Sequence, residues 1–175
     1  MSRWLGPVRQ IGYVVPDVEK AMRYWLDVMG VGPFFTLPTY PVYNYESGGR
    51  PTEPLLSVGI AYSGPLQIEL IQPLGDTPSY YRELCHEEAE TSRPSYVTYW
   101  TRSFAADLDR AMRAGCVVVQ SGGQEGAGKF AYLRRPGGPL FEILETSDFI
   151  EAWFAGMQAV ASEWDGSNPI RPAMP

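Results

Sequence analysis

Asp17-Val18-Glu19-Lys20-Ala21-Met22-Arg23 and Asp107-Leu108-Asp109-Arg110-Ala111-Met112-Arg113 agree at Asp, Ala, Met and Arg, with conservative changes between them. Such self-similarity in a short chain marks an internal duplication. Upstream of the first copy, Val8-Arg9-Gln10-Ile11-Gly12-Tyr13-Val14-Val15 is a β-rich run ended by Pro16; upstream of the second, Ser95-Tyr96-Val97-Thr98-Tyr99-Trp100-Thr101 has the same character. In the first copy Val18, Ala21, Met22, Trp25, Leu26 and Met29 recur every three or four residues, which predicts a helix capped by Asp17 and closed by Gly30. The second predicts a helix over 107–113, closed by Gly115.

Further out, strands are predicted near 34–37, over 56–62 and over 66–72 in the first copy, and over 116–120, 129–134 and 140–145 in the second. Ile68-Glu69-Leu70-Ile71 answers Phe141-Glu142-Ile143-Leu144. The expectation is an α+β fold, two tandem β-α-β-β-β modules forming one cupped, incomplete barrel. One domain spans 1–175: module one 7–74, a linker helix within 75–93, module two 94–146, and a C-terminal helix and tail 147–175. Residues 33–54, rich in Pro, Gly and Tyr, read as a short strand and an irregular loop. In the last helix, capped by Ser147, the stripe Ile150, Trp153, Phe154, Met157, Val160, Ala161 and Trp164 needs burial, either on the same chain or in a homodimer.

Composition narrows the function. Of 175 residues, 45% are hydrophobic and 19% charged, which is globular, and a net charge of -6 argues against nucleic acid as a partner. No apolar run is long enough for a bilayer, and the two cysteines make no disulfide framework, so the expectation is a cytoplasmic protein with no membrane partner. One histidine, His86, rules out a multi-histidine zinc or iron site and reads as a surface residue.

Strand alternation then isolates a polar set. Glu69 and Glu142 are flanked by aliphatic residues on their strands, a costly setting unless something answers the charge. Gln10 shares a face with Gly12, which leaves space beside it, and Tyr96, Thr98 and Trp100 hold the matching face of the second copy.

The duplicated unit with its strand-end glutamates resembles the vicinal oxygen chelate superfamily, which includes glyoxalase I, bleomycin-resistance proteins, methylmalonyl-CoA epimerase and extradiol dioxygenases. In that family the first strand of each unit supplies His or Gln, the last supplies Glu, and the four converge on a divalent metal. The resemblance implies Gln10, Glu69, Tyr96 and Glu142 as the metal set, with Tyr96 where histidine is usual. It implies a glyoxalase-like, metal-assisted lyase or isomerase acting on a small carbonyl compound, with Glu142 or Glu69 as the catalytic base. The extradiol branch is excluded, since its iron needs two histidines. The alternative is a metal-free, bleomycin-resistance-like protein that binds a small aromatic or cationic ligand; 5 Trp, 11 Tyr and 7 Phe suit that role.

Two glutamates facing one apolar cup cannot both stay ionised without compensation. Either a cation sits between them, with Mg, Mn or Ca favoured over Zn by oxygen donors, or Tyr96 donates its phenol proton to one carboxylate. Two other motifs carry less. Gly123-Gln124-Glu125-Gly126-Ala127-Gly128-Lys129-Phe130 lacks the Ser or Thr of a phosphate loop and reads as a hairpin. Arg134-Arg135-Pro136-Gly137-Gly138 reads as a turn.

Overall fold

A computed structural model describes residues 2–85, 93–124 and 128–173. His86 and the acidic run Glu87, Glu88 and Glu90 lie outside the described residues, as does the tip of the Gly-rich hairpin.

The first module starts with Gln10–Val14 (β1) and Val18–Asp27 (α1), continues through Phe34–Pro41 (β2), Tyr43–Ser47 (β3) and Arg50–Pro51 (β4), and ends with Leu55–Ser63 (β5) and Leu66–Leu74 (β6). Tyr80–Leu84 (α2) links it to the second module: Tyr96–Thr101 (β7), Phe104–Arg113 (α3), Val117–Gln124 (β8), Gly128–Arg134 (β9) and Phe141–Glu145 (β10). Asp148–Ser162 (α4) and Ile170–Pro172 (β11) complete the chain.

The strands form one curved sheet in the order β11-β2-β5-β6-β1-β7-β10-β9-β8-β3-β4. Its centre is the antiparallel β1–β7 pair, with Gln10 opposite Thr98 and Gly12 opposite Tyr96. On one side β1 runs parallel to β6, and on the other β7 runs parallel to β10. The two modules mirror each other about this junction, as the repeat predicts.

The outer face of each half carries a helix. Asp17 accepts a hydrogen bond from the Lys20 amide (2.9 Å) and caps α1, whose Val18, Ala21, Met22 and Trp25 pack with Ile68 and Leu70 of β6. In the second module Ala111 packs with Ala131, Leu133 and Ile143. The expected start of the second helix at Asp107 is corrected: α3 begins at Phe104. Thr101 Oγ1 accepts from the Ser103 amide (2.8 Å) and donates to Asp107 (2.5 Å), so Asp107 lies in the first turn rather than at the cap.

Residues 33–54 are also corrected: the expected short strand is there, within β2, but the irregular loop after it is two further strands, β3 and β4. Strand β2 lies near one edge of the sheet, paired with β5, whereas β3 pairs with β8 near the other edge. The short passage through buried Val42 therefore bridges the two ends of the cup. Tyr45, from the same segment, is 1% exposed and donates its hydroxyl proton to Gln120 (2.5 Å). Strand β11 was not expected either; it runs parallel to β2.

Helix α4 packs on its own chain. Ile150, Phe154 and Met157 are buried in the main core, Trp153 is partly buried, and Val160 stays 38% exposed. The rings of Trp100, Phe154 and Trp153 stack in series, with centroids 4.9 and 5.4 Å apart. Among the described residues no helix is long and apolar enough to cross a membrane.

Candidate functional site

Pairing register fixes which side chains share the floor of the cup. Across the sheet, Gln67 (β6) stands opposite Gln10 (β1), Gln10 opposite Thr98 (β7), Thr98 opposite Glu142 (β10), Glu142 opposite Tyr132 (β9), and Tyr132 opposite Gln120 (β8). One pleat along, Glu69 stands opposite Gly12, and Gly12 opposite Tyr96. Since Glu69 pairs with Gly12 and Glu142 with Thr98, the duplication equates Gln10 with Tyr96 and Gly12 with Thr98.

These rows bring the four sequence-selected residues together around two carboxylates. Glu69 Oε2 accepts from the Gln10 side-chain amide and from the Tyr96 hydroxyl, the latter at 2.5 Å. Glu142 Oε2 accepts from Thr98 Oγ1 at 2.6 Å, and Tyr132 gives it a further hydrogen bond. Gln10, Tyr96, Thr98 and Glu142 are buried; Glu69 keeps part of its surface open to the cup.

Burial dominates the electrostatics. Desolvation lifts the Glu69 carboxyl to about 7, while the Tyr96 hydrogen bond pulls the other way. Desolvation and then the nearby charge of Glu69 lift Glu142 to about 8, against the hydrogen bonds of Thr98 and Tyr132. The phenols of Tyr40, Tyr81, Tyr96 and Tyr132 are also pushed upward, first by burial and then by one or both carboxylates, so all four keep their protons.

Above the floor lies a cavity of about 80 Å³. One wall is aliphatic, with Leu56, Val58, Ile60 and Ile71 from the first module. The other is aromatic, with Phe130, Tyr132, Trp153 and Phe154. Tyr40 lines the cavity, whereas Tyr45 supports the wall from the core and Tyr43 is 46% exposed.

The sequence reading did not assign roles to Thr98, Tyr132 or Tyr81. Thr98 carried a signal, being two residues from Tyr96 on the same strand face. Tyr132 becomes identifiable only through its register with Glu142, and Tyr81 arrives on the linker helix. The Gly-rich stretch pairs as a hairpin, with Gly123 opposite Lys129, and 135–138 is a turn closed by a hydrogen bond from Gly138 to Arg135.

The donor set does not fit a divalent cation. Gln10 presents its amine side to Glu69, Tyr96 retains its proton, and the two carboxylates take hydrogen bonds from four neutral protein donors. Among the described residues, no three of His, Cys, Asp and Glu converge as ligands.

A curved sheet built from two mirrored β-α-β-β-β modules, with paired glutamates inside, defines a class of proteins. Residues 9–132, more than half of the chain, match the family model of the Glyoxalase/Bleomycin resistance protein/Dioxygenase superfamily, and the chain belongs to that superfamily. Among solved structures it is similar to hypothetical protein BH1468 from Bacillus halodurans C-125, at 16% identity and a TM-score of 0.53, over 81% of this chain and 95% of that one. It is also similar to methylmalonyl-CoA epimerase from Mycobacterium tuberculosis, at 16% identity and a TM-score of 0.51, over 87% of this chain and 96% of that one. At these identities the likeness is one of fold. No curated protein sequence matches the chain significantly.

Proposed function

We propose that this protein is a lyase or isomerase that moves a proton on a small carbonyl compound, with Glu69 and Glu142 as its acid–base pair. The observation that carries this reading is the pair itself: two carboxyls on the floor of an apolar cup, held near neutrality at about 7 and about 8. One carboxyl of the pair, in its ionised form, is the base. It takes the proton from the carbon next to the carbonyl, and the electron pair of that C–H bond moves toward the carbonyl oxygen. The other carboxyl carries its proton and gives it to that oxygen, so the product of the step is a neutral enol and one ionised carboxyl. Return of a proton to either carbon face completes an isomerisation, whereas loss of a leaving group from the neighbouring carbon completes an elimination.

Gln10 and Tyr96 orient Glu69, and Thr98 and Tyr132 orient Glu142. The metal-assisted form of this chemistry is not part of the proposal, because the donor set does not suit a cation. The aromatic wall favours a second reading, a binding protein that performs no chemistry on its ligand.

Deuterium uptake from D2O into small ketones, followed by proton NMR with chelator-treated protein, separates the two. The enzyme reading expects exchange next to the carbonyl that falls at least about 100-fold in both Glu69→Gln and Glu142→Gln. Exchange that survives both substitutions, or binding with no exchange, overturns it.

A further inference from the structure

The two carboxylates share the cup with no basic partner: among the described residues, no Arg, Lys or His lines the cavity. Three arginines of the surrounding elements make contacts outside the cup. Arg9 adjoins Gln10 in sequence, but its guanidinium lies over the Trp100 ring, 4.3 Å from the centroid. Arg102 is held at the start of α4 by Asp148 (2.6 Å) and Glu151 (2.8 Å), and Arg134 lies over the Tyr80 ring. The polar groups on the floor are Gln10, Glu69 and Glu142, and the lining above them is apolar apart from the tyrosine hydroxyls and the indole of Trp153.

We infer that the cup selects an uncharged, largely apolar carbonyl compound, its carbonyl on the glutamate floor and its ring or chain between the aliphatic and aromatic walls, and that it rejects molecules bearing a carboxylate or phosphate there. This rests on the cup being the substrate site of the proposed enzyme. An anion on this floor is desolvated beside a glutamate pair that carries negative charge at pH 7, with no cation to answer it, an unfavourable arrangement of charge in a low-dielectric site. A neutral carbonyl needs only one donor, which the floor supplies, and gains from burying its hydrocarbon body. Aliphatic and aromatic side chains lining one cavity suit a flat ring packed among Ile60, Val58, Phe154 and Tyr132.

The substrate class separates this chain from one of the structures it resembles. Methylmalonyl-CoA carries a free carboxylate, and the described lining here offers such a group no counter-charge.

The test is a matched ligand set on one skeleton: 2-indanone, 2-aminoindane as its ammonium form, and indane-2-carboxylate. Binding to the wild-type chain is read at pH 7 by isothermal calorimetry and by tryptophan fluorescence, since Trp153 forms part of the wall. The ketone is expected to bind at least about 30-fold more tightly than the carboxylate. A carboxylate that binds as well as the ketone overturns the inference. So does an ammonium form that binds more tightly than the ketone, which would make the cup a cation site, or no binding of the ketone at millimolar concentration. Deuterium exchange into 2-indanone is measured on the same samples. Charge selection without exchange leaves the ligand class standing and removes the enzyme; exchange into 2-indanone without charge selection does the reverse.

Discussion

The ring of Tyr96 occupies the volume that a side chain on Gly12 would need: a Cβ built on Gly12 would stand 2.0 Å from Tyr96 Cζ. The missing methyl lets the phenol cross strand β1 and donate a hydrogen bond to Glu69 on strand β6, 2.5 Å away. The duplicate position is Thr98, and there a short hydroxyl reaches Glu142 directly. One repeat, diverged at this pair of positions, gives the two carboxylates different partners.

Gly12→Ala forces Tyr96 off its ladder position. Expected is a loss of about 2–3 kcal/mol in urea unfolding, the upper part of the range for overpacking a filled site. Tyr96→Phe keeps the ring and loses only the hydroxyl, so its loss should be smaller, about 1–2 kcal/mol. Equal losses would mean that the ring, rather than the Tyr96–Glu69 bond, is the important contact.

Stability should fall as pH rises. In the unfolded chain both carboxyls ionise near their ordinary 4.5, whereas the fold holds them to about 7 and about 8. A raised carboxyl favours the fold while it is protonated, so the contribution is full below about 4.5 and is lost progressively as pH climbs through about 8. Unfolding free energy measured from pH 4 to pH 9 should decline over that window, and Glu142→Gln should flatten the slope. A wild-type profile that rises with pH contradicts the raised values.

Thr98→Val preserves shape and removes the hydroxyl that donates to Glu142. Because that bond favours the ionised form, its loss should push the Glu142 carboxyl above about 8. Carbon-13 NMR of labelled glutamate carboxyls reads the shift. A fall, or no change, would show that the hydroxyl does not face the ionised form.

Divalent metal should leave the protein unchanged. A cation present at ten times its Kd would add about 1.4 kcal/mol, several degrees in Tm for a chain of this size. Millimolar Mg or Mn added to chelator-treated protein is expected to move Tm by less than about 1 °C. A rise of several degrees that Glu69→Gln abolishes would restore the metal site.

Phe154 is 7% exposed and stacks between Trp100 and Trp153. Phe154→Ala should cost about 3–5 kcal/mol and loosen α4 over the cup. Hydrogen exchange should quicken in 148–162 before it does in β1 or β6. Uniform quickening would mean that α4 has no stability of its own to lose.

Much of this molecule is determined by sequence alone, for a local reason. Helices α1 and α4 announce themselves through apolar spacing of three and four, and Gln10, Glu69, Tyr96 and Glu142 share the cup because strand alternation sorts side chains within a few residues. The duplication then states that the two halves are alike. Tertiary structure decided what depends on register between distant strands. Strand β3 crosses to β8 because Val42 and Tyr45 find burial there, and nothing within 33–54 encodes that partner. Thr98 and Tyr132 become partners of Glu142 only once β7, β10 and β9 align, and Tyr81 joins through a helix whose own sequence is silent about the site. The state of the carboxylates is likewise not in the residue list. Glu69 and Glu142 are ordinary acids until the sheet curves, removes their water and supplies neutral donors in place of a cation.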